Sequence, residues 1–212
     1  MLLRSLNSLD NPLFCIKDKT KFDYSNYMED NYEQDLVDIV EKDYSHPSVI
    51  FYSTGNEVSE TSESRGIELQ GKMNELLHKL DPSRLTTCGI NVFFNGMAHT
   101  PIATYSDKKS ENDYKAKPKV EGSSDIFNTI GNMMGAGFMK RGATLHIVDK
   151  NTRGAFANMD VAGYNYGILR YKKDAKKYPN RFICGTETFV SDAALFYEIA
   201  NQIPRVIGDF VW

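Results

Sequence analysis

Two glutamates stand where strand-and-helix folds do their chemistry. Glu57 closes the run Val49-Ile50-Phe51-Tyr52-Ser53-Thr54-Gly55-Asn56, and Glu187 closes Phe182-Ile183-Cys184-Gly185-Thr186. Both runs open on the β-branched and aromatic residues that favour strands. In a parallel βα fold the C-terminal ends of the strands open on one face, and sites are built there. An unpaired carboxylate is expensive to bury. Two on one rim suit a division of labour, with one protonated to give a proton and the other ionised to attack. Retaining glycoside hydrolysis uses such a pair, with the carboxyl groups roughly 5–5.5 Å apart. Spacing alone favours a plainer reading, rim glutamates in salt bridges with arginines, so the neighbourhood must decide.

The elements that would carry the two glutamates follow from periodicity. Over residues 24–43, Met28, Tyr32, Leu36, Ile39 and Val40 share one helical face with acids opposite. His46-Pro47 stops that helix, and the first strand run follows. Met73, Leu76, Leu77 and Leu80 mark a second helix, ended at Asp81-Pro82. Leu85 to Asn91 is a second strand, Met159 to Tyr164 a third, and Val206 to Trp212 a fifth after the Glu187 strand. A helix near 168–177 presents Lys172, Lys173, Lys176 and Lys177 as a wet face, and a helix over 191–201 buries Ala194, Leu195 and Tyr197 or their neighbours. Strands spaced by helices of 10–15 residues imply βα units, right-handed crossovers and a parallel sheet.

One stretch breaks the rhythm. Residues 92–158 separate two strands by more than a single helix requires. Its part 106–124 is charged and nearly free of large apolar groups, which predicts an exposed excursion. Residues 126–139, with Ile126, Phe127, Ile130 and Phe138, are expected to fold back as a helical lid, with Met133, Met134 and Met139 filling core rather than touching ligand.

The chain has 212 residues, 41% hydrophobic and 25% charged, with a net charge of −3. This balance excludes a disordered tail or a coiled coil and argues against a nucleic-acid partner. No apolar run reaches membrane-spanning length. Cys15, Cys88 and Cys184 are odd in number, far apart and without metal-ligand spacing, so neither a disulfide scaffold nor a zinc site is expected. With no signal-like leader, free thiols suggest the cytoplasm. Glycine-rich phosphate loops are lacking, so no cofactor is expected.

The neighbourhood of each glutamate resembles glycoside hydrolase family 2. His46-Pro47-Ser48-Val49-Ile50-Phe51-Tyr52-Ser53-Thr54-Gly55-Asn56-Glu57 is similar to that family's acid/base signature, R-D-x-N-H-P-S-V-I-x-W-S-x-G-N-E. Here Tyr52 replaces the usual Trp, and Glu41-Lys42-Asp43-Tyr44-Ser45 precedes His46. Arg181 to Phe189 resembles the nucleophile strand of the β-galactosidase-like branch, Asp160 to Tyr166 the strand before it, and Gly208-Asp209-Phe210-Val211-Trp212 the start of the eighth strand.

The resemblance implies an α/β chain that is a partial (β/α)8 TIM barrel, approximately strands 4 to 8. It would be a single incomplete catalytic domain over 1–212, with a long insertion at about 92–158. The first three strands would be absent, or at most hinted at in residues 1–16, so the chain is expected to be a fragment of an enzyme. By the same resemblance Glu57 is the general acid/base and Glu187 the nucleophile. Asn56 bonds the sugar 2-hydroxyl, Tyr166 holds Glu187, and Trp212 forms a platform under the ring. Asn91, at a strand end, could face sugar or serve turn chemistry. His46 is read as local structure at the helix-to-strand turn, and Tyr52 and Tyr164 as candidates to pack against helices. The implied activity is hydrolysis of terminal β-galactosides, with a small carbohydrate as substrate and no metal. Homo-oligomerisation of the full-length enzyme stays open. The alternatives are a β-glucuronidase or β-mannosidase of the same family, or a barrel remnant that binds carbohydrate without turnover.

Overall fold

In the computed structural model, residues 2–5, 25–98, 135 and 137–211 are described. The excursion at 106–124, Cys15, Met133, Met134 and Trp212 lie outside them, as does most of the segment expected to form a lid. The strands are β1 (Leu2–Ser5), β2 (Val49–Asn56), β3 (Leu85–Asn91), β4 (Val161–Asn165), β5 (Phe182–Thr188) and β6 (Val206–Val211). The helices are α1 (Ser25–Asp43), α2 (Ser64–Leu80), α3 (Val92–Gly96), α4 (His146–Ala157), α5 (Tyr171–Lys177) and α6 (Ala193–Gln202). Residues 137–142 add a helical segment ahead of α4.

All neighbouring strands are parallel, and their order in space is their order in the chain. A doubly wound sheet reverses direction at a switch point, whereas an unreversed order is the wall of a barrel. The architecture is therefore an α/β half-barrel. Leu2–Ser5 adds a sixth strand, inside residues 1–16 where an earlier barrel strand was at most hinted at: it pairs with β2 through Arg4 opposite Tyr52 and Ser5 opposite Ser53. A segment of four residues is too short for periodicity to reveal, and pairing with a neighbour is what makes it a strand.

Strand alternation sorts side chains to two faces. Cys88, Ile90, Ala162, Tyr164, Ile183 and Val206 meet the helices, where Val148, Phe156, Ile168, Tyr171 and Ile199 complete the main core. Tyr52 lies with Met28, Leu36, Val40, Met73 and Leu77 between α1 and α2. Both tyrosines therefore pack against helices. On the opposite face Phe51, Val161 and Cys184 cluster with Phe210, the filled interior that a barrel wall requires. Cys88 and Cys184 are free thiols, and burial pushes both up to about 12. Met139 is buried in the main core, as expected. In α6 the buried side chain is Ile199, with Leu195, Phe196 and Ala200 partly covered, whereas Tyr197 is exposed. The lysines of α5 do face water.

Arg84 ties down the ends of β2 and β3 away from the rim. Its guanidinium donates to the carbonyls of Val49 at 2.8 Å, Tyr44 at 2.9 Å and His46 at 3.1 Å, and it pairs with Asp81. The turn closes with His46 N–H to Asp43 at 2.9 Å and Val49 N–H to His46 at 3.0 Å. His46 thus serves the turn through its backbone. None of the described helices is long and apolar enough to cross a membrane.

Candidate active site

Strands β2, β3 and β4 each end on an asparagine: Asn56, Asn91 and Asn165. Parallel register sets Asn91 beside Asn165 and Asn165 beside Glu187, so three strand ends meet on one rim. Glu57 and Tyr166 immediately follow β2 and β4 and share an unusual backbone. Both have positive φ, 52° and 57°. This region is sparsely populated by side-chain-bearing residues and stores of order 1–3 kcal/mol each. Each is held there by a bond to the next strand, Glu57 N–H to the Gly89 carbonyl at 2.8 Å and Tyr166 N–H to the Glu187 carbonyl at 2.8 Å.

The side chains form one network. Asn91 Nδ2 donates to Glu57 Oε1 at 2.8 Å, and Asn165 Nδ2 donates to the same oxygen at 3.2 Å. Asn165 Nδ2 also donates to Asn56 Oδ1 at 2.8 Å. Asn56 Nδ2 donates to Glu187 Oε1 at 2.8 Å, and the Tyr166 hydroxyl donates to Glu187 Oε2 at 2.6 Å. The two glutamates are thus linked through two amides. Asn165 is fully buried, and its Oδ1 accepts from Thr186 Oγ1 at 2.5 Å. Tyr166 also leans on Phe189, ring centroids 4.6 Å apart.

The sequence-predicted residues Glu57, Glu187, Asn56, Tyr166 and Asn91 therefore come together. Asn91 does local turn work, its Oδ1 capping α3 by accepting from Phe94 N–H at 3.1 Å, while its Nδ2 holds Glu57. Trp212 lies outside the described residues. Asn165, the hub of the network, and Thr186 were not singled out. The recurrence of asparagine at the end of each strand is the signal that could have found Asn165. Gly89 was missed as well. A Cβ there would overlap Asn56 Oδ1 and stand 3.0 Å from Asn165 Oδ1, so the amides occupy the space that its missing side chain leaves.

Behind β5 lies a second carboxylate group. Asp209 accepts a hydrogen bond from Thr188, the residue after Glu187. Burial raises the Asp209 carboxyl above its ordinary range. The Asp192 charge raises it further, and the Thr188 bond only partly offsets this. Among the described residues no group of three or more His, Cys, Asp or Glu side chains is placed to hold a metal ion.

The model of the glycosyl hydrolases family 2 TIM barrel domain matches residues 14–130, more than half of the chain. The chain belongs to glycosyl hydrolase family 2. Among curated relatives, the β-galactosidase BoGH2A of Bacteroides ovatus is 33% identical over 35% of this chain and 12% of its own length. A β-glucuronidase of Bacteroides fragilis is 32% identical over 35% of this chain and 10% of its own. A solved family 2 structure from Bacteroides cellulosilyticus superposes over 97% of this chain and 19% of its own with a TM-score of 0.64 at 24% identity, a likeness of fold. The chain thus spans about a tenth of the length of the curated relatives it matches.

Proposed function

We propose that this family 2 chain carries both catalytic glutamates of a retaining exo-β-glycosidase. The carrying observation is the bonded path Glu57–Asn165–Asn56–Glu187, which joins two carboxylates from different strands on one rim. Glu187 accepts one donor on each oxygen, which fits a carboxylate presented as an acceptor and nucleophile. Glu57 is the acid/base. In the first step Glu187 attacks the anomeric carbon, the glycosidic C–O bond breaks, and Glu57 gives its proton to the departing oxygen. In the second step Glu57 takes a proton from water, the water oxygen attacks the same carbon, and the Glu187 carboxylate is released. Asn56, between the glutamates, is proposed to meet the sugar 2-hydroxyl.

The substrate proposed is a terminal β-galactoside, supported by the relative from Bacteroides ovatus. A β-glucuronide is the second reading, supported by the almost equal identity to the relative from Bacteroides fragilis. Initial rates on chromogenic galactoside, glucuronide and mannoside separate these readings. The mechanism is tested by treating the full-length protein with a 2-deoxy-2-fluoro-β-glycoside and sequencing the labelled peptide. Label on Glu187 is expected; label elsewhere, or none in a protein that turns over, overturns the assignment.

A further inference from the structure

The helical segment at 137–142 touches residues next to the partners of both glutamates. On one side it is pressed against α3. Phe138 meets Phe93 edge-on at 5.9 Å, and a Cβ at Gly142 would overlap the Phe93 ring, so the backbone there is in close contact with α3. α3 begins at Asn91, whose Nδ2 holds Glu57. On the other side Lys140 Nζ bonds Asp192 Oδ1 at 2.7 Å and lies 5.7 Å from the centre of the Phe189 ring. Phe189 rests against Tyr166, and Tyr166 holds Glu187.

The Lys140–Asp192 pair is not an ordinary surface ion pair. Its side chains are only 17% and 8% exposed, and Asp192 Oδ2 is buried with no partner among the described residues. The ammonium therefore compensates a carboxylate that lacks full hydration, next to the further acid Asp209.

From this geometry we infer that Lys140 is a positioning residue for Glu187. It fixes the turn after β5, at Phe189 to Asp192, and through Phe189 it sets the Tyr166 ring that donates to Glu187. This inference rests on the reading of Glu187 as nucleophile. It adds a role for the β3–β4 insertion, whose segment at 137–142 would set the aim of the attacking carboxylate.

The test is a double-mutant cycle in the full-length protein, reading the rate of inactivation by the 2-fluoro-glycoside and kcat/KM on an aryl glycoside. Lys140→Met should lower both by about tenfold, equivalent to one weakened charge-assisted contact. Lys140→Arg should recover most of the loss. In a Tyr166→Phe background, Lys140→Met should add little, because both changes act through the same bond. Equal losses in both backgrounds, or a lowered Tm with unchanged rates, would overturn the inference. If the wild-type protein is neither labelled nor active, the functional reading fails instead. Hydrogen exchange over residues 186–192 then reads the clamp by itself. Faster exchange in Lys140→Met supports it, and unchanged exchange removes it.

Discussion

Glu187 receives the Tyr166 hydroxyl on one oxygen and the Asn56 amide on the other, so its orientation depends on two bonds from different strands. A hydrogen bond to a charged group is worth about 1.5–3 kcal/mol, roughly a 10- to 100-fold change in rate if it is realised in the transition state. Tyr166→Phe should therefore lower kcat within that range, with a smaller effect on KM, as steady-state kinetics would show. Glu57→Gln tests the other carboxylate. Acid assistance contributes about 10²–10⁴-fold, so poor leaving groups should lose that much and very good ones far less. A similar loss across a series of aryl glycosides would remove Glu57 as the acid. Gly89→Ala needs no contact with substrate to act. The added methyl collides with the Asn56 amide, and overpacking of this kind costs about 1–3 kcal/mol. Activity should fall together with Tm, and restoring Tm by stabilising changes elsewhere should not restore the rate.

The elements stay in place through buried charge networks far from the rim. Arg84 spans the α1–β2 turn and Asp81. Its loss in Arg84→Met leaves the buried Asp81 carboxylate without its cation, held only by the Ser83 and Tyr52 donors, so unfolding should be easier by about 3 kcal/mol in urea melts. Arg170, almost wholly buried, bonds Asp174 at 2.6 Å, Asp149 at 3.4 Å and Thr152 at 3.0 Å, joining α4 to α5. Lys177 and Tyr178 add bonds to Asp149 at 2.6 and 2.7 Å. Burial alone would raise the Asp149 carboxyl, but the Lys177 and Tyr178 bonds and the Arg170 charge outweigh it, and the net shift is down. Asp81 behaves likewise: burial pushes up, and the Ser83 and Arg84 bonds bring it down. Because the folded values lie below the unfolded value of about 3.9, the stability from these groups is present above about pH 4 and lost as pH falls through the depressed values. Melting temperature should drop steeply on acidification below that point, and Asp149→Asn should flatten the drop while lowering Tm at pH 7.

At the scale of the molecule, the sheet of the described residues runs from β1 to β6, and among them the two end strands do not pair with each other. Unpaired strand edges are templates for association, and Ile207 and Val211 on β6 add exposed apolar surface. Residues 1–212 produced alone should self-associate and unfold in urea with a slope shallower than their length implies. Sedimentation and denaturant melts test this, and a monomeric, cooperatively unfolding chain would contradict the expectation.

The parallel order of strands, the positions of Glu57 and Glu187 at strand ends, and the helical face of α1 are local matters. Each depends on spacing or on a motif of a dozen residues, so each is legible along the chain. β1 was at most hinted at, because four residues carry no period and become a strand only beside β2. Asn165 was passed over for a similar reason. As a residue type it reads as turn chemistry, and only parallel register sets it between Asn56 and Glu57. Lys140 and Asp192 are 52 residues apart, and no periodicity links them. Burial makes that pair consequential, and burial is a property of what the rest of the fold brings over a side chain. Periodicity and motifs thus identified the wall and its two carboxylates, whereas the amides, the glycine and the ammonium that aim them depend on contacts made across strands.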